Sequence, residues 1–471
     1  MRARWTRGGR CRSIAAVTAL VGTAALIASC AGILGDFASG PATEGPGSDA
    51  STTGPGNDAT VPSDAPSAKD SSGSSTDDAT SADASATDAQ APSDAGDAST
   101  CGPACATLIS ADGTHTCAVM GDGTVLCWGR NVDGECGSPD AGGTIPTAVP
   151  LPGPARLVRS GATSTCALLV DESVWCWGSN AVGTIGVPDA STTADGGVGP
   201  MQTLPPGSAS ELLSGSYHAC ALTTATPPEV LCWGANGYGQ AGIGDASVVL
   251  SPTPTGITSV LQMSAGPFNS YFYRSVSPAA VAIGRNADGE LGRGEDGGID
   301  TLSHPVPSPI DFAPVGPVRT LYRSAGPHMG AVLTTAQVAM WGSNVDGELG
   351  PQVDGSAPNP TPSVVPLAEV SWLAMTTNGT CAARVDGSVW CWGTTADGQN
   401  GNTVTVTPTQ PEPTQVTGVA GATMVTAGFN HVCALLSDGG VECWGFNNFG
   451  QLGHATTPPN DFDPTAEPVP F

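Results

Sequence analysis

Between residues 101 and 471 the chain repeats one short pattern seven times, and this period limits the fold more than any other feature. An apolar run closes in Trp-Gly at Trp128-Gly129, Trp177-Gly178, Trp233-Gly234, Trp341-Gly342, Trp392-Gly393 and Trp444-Gly445; a degenerate copy reads Ile283-Gly284. Each copy keeps one order. A short apolar strand such as Arg156–Arg159 is followed by a Gly-containing turn and a second strand such as His431–Leu436. An Asp-Gly turn (Asp122-Gly123, Asp386-Gly387, Asp438-Gly439) leads to the third strand, which ends at Trp-Gly. A second turn runs from Asn286 to Gly292, Asn344 to Gly350 or Asn447 to Gly453, and a variable loop enters a Pro-rich strand such as Thr147–Leu151. Asp-Gly between apolar runs is a hairpin signal, because both residues tolerate the positive φ that tight turns need. Four short strands per copy predict an all-β, seven-bladed propeller over residues 101–471. The C-terminal Ala466–Phe471 repeats the Pro-rich strand. The expectation is that it is supplied to the first blade and closes the ring, removing free edges.

Five copies carry a cysteine pair across the hairpin: Cys117 with Cys127, Cys166 with Cys176, Cys220 with Cys232, Cys381 with Cys391, and Cys433 with Cys443. Opposed residues of antiparallel strands lie within disulfide reach. The other two copies lose both members together, with Tyr271 and Ala282 in the fourth and Ala331 and Met340 in the fifth, as bonded pairs should. Five disulfides are therefore expected. Of the three further cysteines in this region, Cys136 bonded to Cys101 or Cys105 would tie down the start of the folded region, and Cys101–Cys105 is the competing pair. Two sulfurs per blade do not make a four-ligand metal site, and no cofactor is expected.

The pattern Ala-Gly-x-x-His-x-Cys-Ala-Leu, Asp-Gly, Cys-Trp-Gly-x-Asn, Gly-Gln-Leu-Gly resembles the RCC1-type (regulator of chromosome condensation) repeat, in the cysteine-bearing form of secreted bacterial proteins. It is cleanest over Ala427–Leu436 and Val441–Gly445, and covers about residues 105–471. The resemblance implies a seven-bladed β-propeller.

The N-terminus reads as an export signal over residues 1–29. Arg2, Arg4, Arg7, Arg10 and Arg12 precede an apolar run from Ser13 to Ile27, too short to span a membrane comfortably. It ends Leu26-Ile27-Ala28-Ser29-Cys30, which resembles a bacterial lipoprotein signal and implies lipidation of Cys30; the bland alternative is an ordinary cleaved signal with a chance cysteine. Ala31 is not the Asp that retains many such products at the inner membrane, which implies the outer membrane or cell surface as the address. Residues 30–100 are Ser-, Ala- and Asp-rich, with no aromatic after Phe37 and Lys69 as the one base. Such a segment cannot bury enough apolar surface to order itself and is expected to be a disordered tether, reaching roughly 45 Å as a flexible coil.

Even counting the five N-terminal arginines, the formal net charge is −27, which disfavours nucleic acid and anionic membrane surfaces as partners. The Trp ring reads as packing between blades. His115, His218 and His431, each two residues before a cysteine, read as hydrogen-bonded turn histidines, and the Asn-x-Asp-Gly segments as turns without the further carboxylates of a calcium loop. The fourth copy holds an aromatic and basic cluster. Phe268, Tyr271, Tyr273, Arg274 and Arg285 are candidate binding residues there, against the alternative that the aromatics refill space left by the missing disulfide. No catalytic constellation stands out. The expected role is a surface-anchored, monomeric, non-catalytic scaffold for a protein or glycan, touching the membrane only through its lipid. The alternatives are a propeller enzyme of polysaccharide lyase or glycosidase type and, by family analogy, a guanine-nucleotide exchange factor.

Overall fold

The computed structural model describes residues 102, 104–138, 141–188, 197–244, 247–294, 298–353, 355, 358–402, 408–456 and 461–471. The export signal, Cys30 and the tether expected over residues 1–100 lie outside the described residues. Seven four-stranded antiparallel sheets follow one another in chain order and form the blades of a propeller. They run Ala106–Ala148, Ala155–Leu204, Ala209–Pro254, Val260–Pro309, Val318–Val365, Val370–Gln415 and Ala422–Pro468, numbered blades 1 to 7. In each blade the first strand lies at the axis and touches the first strands of its neighbours. The second and third strands are largely buried, and the fourth is solvent-facing and Pro-rich, which blunts the outer edge.

The hairpins form as the sequence pattern dictates. Cys117 opposes Cys127, Cys166 opposes Cys176, Cys220 opposes Cys232, Cys381 opposes Cys391 and Cys433 opposes Cys443. All five pairs are bonded, with Cα atoms 4.1 Å apart, the close spacing of a non-hydrogen-bonded antiparallel pair. In blade 4 Tyr271 opposes Ala282, as the repeat alignment requires. In blade 5 the residue opposite Met340 is Gly330, whereas Ala331 faces Ala339, one position off the expected pair. The missing side chain leaves room for the Met340 sulfur, which a Cβ on Gly330 would meet at 2.8 Å.

The blades are fastened by one repeated device. The indole of each blade tryptophan donates to a backbone carbonyl in the second turn of the preceding blade: Trp177 to Glu135, Trp233 to Thr184, Trp341 to Glu290, Trp392 to Glu348 and Trp444 to Gln399, at 2.7–2.9 Å. Trp128 donates to Gln451 at 3.0 Å and so joins blade 1 to blade 7. These tryptophans are fully buried core residues.

Ring closure differs from expectation. Phe462–Pro468 pairs with Val441–Phe446 inside blade 7 and is not donated to blade 1. Every blade is therefore one contiguous stretch of chain. The seam is held by Ala106 N to Gly439 O (2.9 Å), Phe429 N to Gly113 O (2.8 Å) and Ala111 N to Thr426 Oγ1 (2.9 Å). Beneath them a shared apolar cluster packs Ile109, Met120 and Trp128 against Leu435, Leu452 and Val469.

Cys136 is a buried free thiol rather than part of a bridge. Its N–H donates to the Asn131 side chain at 2.9 Å, which fixes it in the core position that Leu291, Leu349 and Leu452 take in other blades. Cys105 is disulfide-bonded, and Cys101 lies outside the described residues.

Candidate functional site

Because the first strands meet at the axis, side chains that are far apart in sequence line one channel of about 150 Å³. Arg159 comes from blade 2, Glu211 from blade 3, Gln262 and Ser264 from blade 4, Tyr322 from blade 5 and Trp372 from blade 6. The Gln262 amide is held by both backbone groups of Leu321, at 2.9 and 3.1 Å. Tyr322 donates its hydroxyl to Ser371 O at 2.8 Å and sits edge-on to Trp372. Burial brings the Arg159 guanidinium down to about 10 and raises the Glu211 carboxyl to about 7, the latter opposed by the Met263 N–H at 3.3 Å and by Arg159.

One end of this channel is bolted. Arg323, on blade 5, reaches across the ring, donating to Ser214 O of blade 3 (2.8 Å) and Ala111 O of blade 1 (2.6 Å), and pairs with the fully buried Asp112. Burial pushes the Asp112 carboxyl up; Arg323, the Gly113 N–H and the Ser216 hydroxyl pull it back down. The readings of the Trp ring as packing and of the Asn-x-Asp-Gly segments as turns thus did not reach the axis. Arg159 lay inside a run read as apolar, and the only signal was a charge on an inner strand.

The turns between first and second strands and the loops after the third strands emerge on the same face of the ring. There Tyr217 stacks on Phe268 with ring centroids 5.9 Å apart, and Tyr238 tilts against Phe268 at 5.3 Å. Val132 and Val345, in loops after the third strands of blades 1 and 5, are 64% and 74% exposed. Arg130 pairs with Asp133 and Glu135, and Arg285 with Asp288 and Glu290, fixing the second turns of blades 1 and 4.

Of the candidate binding residues in blade 4, Phe268 and Arg285 come together at this face, the Arg285 N–H donating to Phe268 O at 3.0 Å. Tyr271 does not present itself to a ligand. It is fully buried, donates its hydroxyl to Glu290 O at 2.8 Å and packs edge-on to Trp341. It fills the place of the absent disulfide, which is the refilling alternative. Tyr273 is half-buried against the blade 4–5 core. Arg274 donates to Thr258 O at the opposite end of the blade. Tyr217 and Tyr238 went unnoticed in the sequence, where each is an aromatic in a turn otherwise built of small residues.

Four of the six histidines are interblade fasteners. His115, His218 and His431 contact Thr165, Ser270 and Thr116 of the following blade at 2.7–2.9 Å, and His328, in the cysteine-free fifth repeat, adds a fourth contact to Thr380 at 3.3 Å. Each of these hydroxyls also donates to a backbone carbonyl, of Glu135, Gln240, Gln451 and Glu348 respectively. The hydroxyl therefore accepts from Nε2–H, which assigns the tautomer and leaves Nδ1 bare, and all four Nδ1 atoms lack a partner. Burial lowers each ring to about 3.

Residues 107–135 and 425–451, and separately 122–168, match the regulator of chromosome condensation (RCC1) repeat. Among curated proteins, the chain is 26% identical to the ultraviolet-B receptor UVR8 of Arabidopsis thaliana over 54% of this chain and 56% of that one. It is 30% identical to the secretion-regulating guanine nucleotide exchange factor of Mus musculus over 50% and 52%. The chain thus spans about half the length of these relatives. Among solved structures it resembles yeast RCC1 (Prp20), determined with Kap60, at a TM-score of 0.62 and 21% identity over 74% of this chain and 83% of that one. It resembles human WBSCR16 at 0.61 and 20%, over 74% and 94%. These likenesses carry the fold: a seven-bladed RCC1-like propeller.

Proposed function

We propose that the chain is a non-catalytic interaction scaffold that docks a protein partner on the face bearing Tyr217, Tyr238 and Phe268, and that Cys30 anchors it by lipid at the outside of the cell, with residues 30–100 as tether. The observation that carries the docking reading is the stacked aromatic cluster, part-exposed on loops of a ring whose blades are joined by indole hydrogen bonds and whose hairpins are locked by disulfides. Rigid aromatics lose little side-chain entropy on binding and are favoured at hot spots. The yeast relative was solved with Kap60, and binding properties toward Gsp1p and histones are described for Prp20p; such protein binding is the kind proposed here. A net charge of −27 selects for a partner with a basic patch.

The test captures surface proteins on the wild-type chain and on a folded variant with Tyr217, Tyr238 and Phe268 all replaced by Ser, read by mass spectrometry, with a glycan array as a parallel arm. Selective loss of a captured protein in the variant supports the proposal; identical capture, or binding confined to glycans, refutes it. Metabolic labelling with a fatty-acid analogue tests the anchor: C30S should lose the label, and equal labelling of both forms rules the anchor out.

A further inference from the structure

We propose that the axial channel is a second binding site, for a small hydroxycarboxylate of about six non-hydrogen atoms, anchored by Arg159. The site is independent of which partner the aromatic face takes. Its size comes from the cavity of about 150 Å³, a volume that in other proteins accommodates a single six-membered ring.

The chemistry comes from groups without partners. Among the described residues the Arg159 side chain makes neither a hydrogen bond nor an ion pair, and Glu211 is the one charge acting in favour of its cationic form. Ser264, one blade further round than Glu211, is 4% exposed, and its hydroxyl has no partner. The buried, unpaired Ser264 hydroxyl carries a desolvation cost that a ligand oxygen would relieve, and the Arg159 guanidinium, half-buried at the cavity wall, is free to take an oxyanion. Arginine offers a fork matched to a carboxylate. The second arginine of the channel, Arg323, is already committed to Asp112, Ala111 and Ser214, so Arg159 is the cation left to a ligand. Gln262 is pinned to Leu321, and Trp372 forms an apolar wall. Arg159 and Glu211 both keep part of their surface accessible, so solvent reaches the cavity.

Glu211 makes the site pH-sensitive. It faces Arg159 of blade 2, the Met263 N–H of blade 4, and Tyr322 and Arg323 of blade 5 across the cavity; Arg156 of blade 2 is outside the cavity, fixed to Ala209 O and Ser210 O, and Asp112 of blade 1 is neutralised by Arg323. Protonated, it donates to a ligand hydroxyl. Ionised, it repels the carboxylate and competes for Arg159. Affinity therefore falls as pH rises through about 7.

The experiment titrates the full chain with lactate by calorimetry, using glycerol as an uncharged probe with the same number of non-hydrogen atoms. Expected is saturable lactate binding at about pH 5.5, weakened about tenfold or more at about pH 8.5, with glycerol silent at both. R159Q should lose about tenfold or more in affinity, and E211Q should bind at the higher pH as wild type does at the lower. S264A, a milder change, should weaken binding about threefold with the pH profile retained, and it keeps the test open if R159Q does not fold. Glycerol binding as tight as lactate, undiminished binding by the folded variants, or no saturable heat up to about 50 mM lactate overturns the assignment.

Discussion

The four buried imidazoles make a prediction that can be worked to a number. His115, His218, His328 and His431 sit neutral in the fold at about 3, against 6.5 in an open chain. In each, the proton is bound by the unfolded chain and refused by the folded one. Each ring therefore contributes stability that is present above pH 6.5 and is lost as the pH falls towards 3. At about pH 5 the unfolded chain gains about 2 kcal/mol per ring from protonation, and this figure holds for any folded value below about 4. The buried carboxylates raised by burial, Glu211, Asp112, Glu135 and Glu290 among them, act with the opposite sign, so the slope of the whole protein mixes both. A single substitution separates them. His328→Gln replaces the ring with the longest contact, 3.3 Å to Thr380. Urea unfolding of oxidised wild type and variant at about pH 8 and about pH 5 should show the stability difference between the two proteins shrinking by about 2 kcal/mol on acidification. If that difference is the same at both pH values, the ring is protonated or solvated in the fold, and the tautomer argument built on Thr380 and Glu348 fails with it.

Other outcomes follow from the same contacts. Replacing Cys433 and Cys443 together by Ala should cost about 2–3 kcal/mol, read by denaturant unfolding, because the bridge closes a loop of about ten residues, and non-reducing peptide mapping of the wild type should find each pair joined within its own blade. Arg323→Gln leaves Asp112 buried without its cation and should cost about 3–5 kcal/mol; pairing it with Asp112→Asn should recover a large part of that loss, which a thermal melt of the double variant checks. Trp128→Phe removes the indole bond to Gln451 at the seam and should cost about 1–2 kcal/mol, with faster hydrogen exchange at Ala106, Ala111 and Phe429 before the other blades exchange.

Blade count, strand order, the Asp-Gly turns and the five cysteine pairs were legible because a hairpin is a local object. Residues such as Cys117 and Cys127 are ten apart in sequence, and the turn between them sets their register. The first error came where that local mark was missing: without cysteines in the fifth repeat, the partner of Met340 was placed at Ala331 instead of Gly330, and a one-residue slip in a strand exchanges its two faces. The same absence hid His328, which keeps its role although the cysteine that marked its equivalents is gone.

Long-range placement is what the one-dimensional pattern left open. The Pro-rich ending at Ala466–Phe471 is compatible with the outer edge of blade 7 or of blade 1, since both edges want the same residues, and pairing with Val441–Phe446 chose the former. The channel was hidden for a similar reason. Arg159, Glu211, Ser264 and Trp372 each stand on a different inner strand, separated by some fifty to a hundred residues, and no spacing rule links them. Repeated hairpins dictate blades because their partners are near in the chain; what faces the axis is settled only when seven strands converge, since there the neighbours of a side chain come from other repeats.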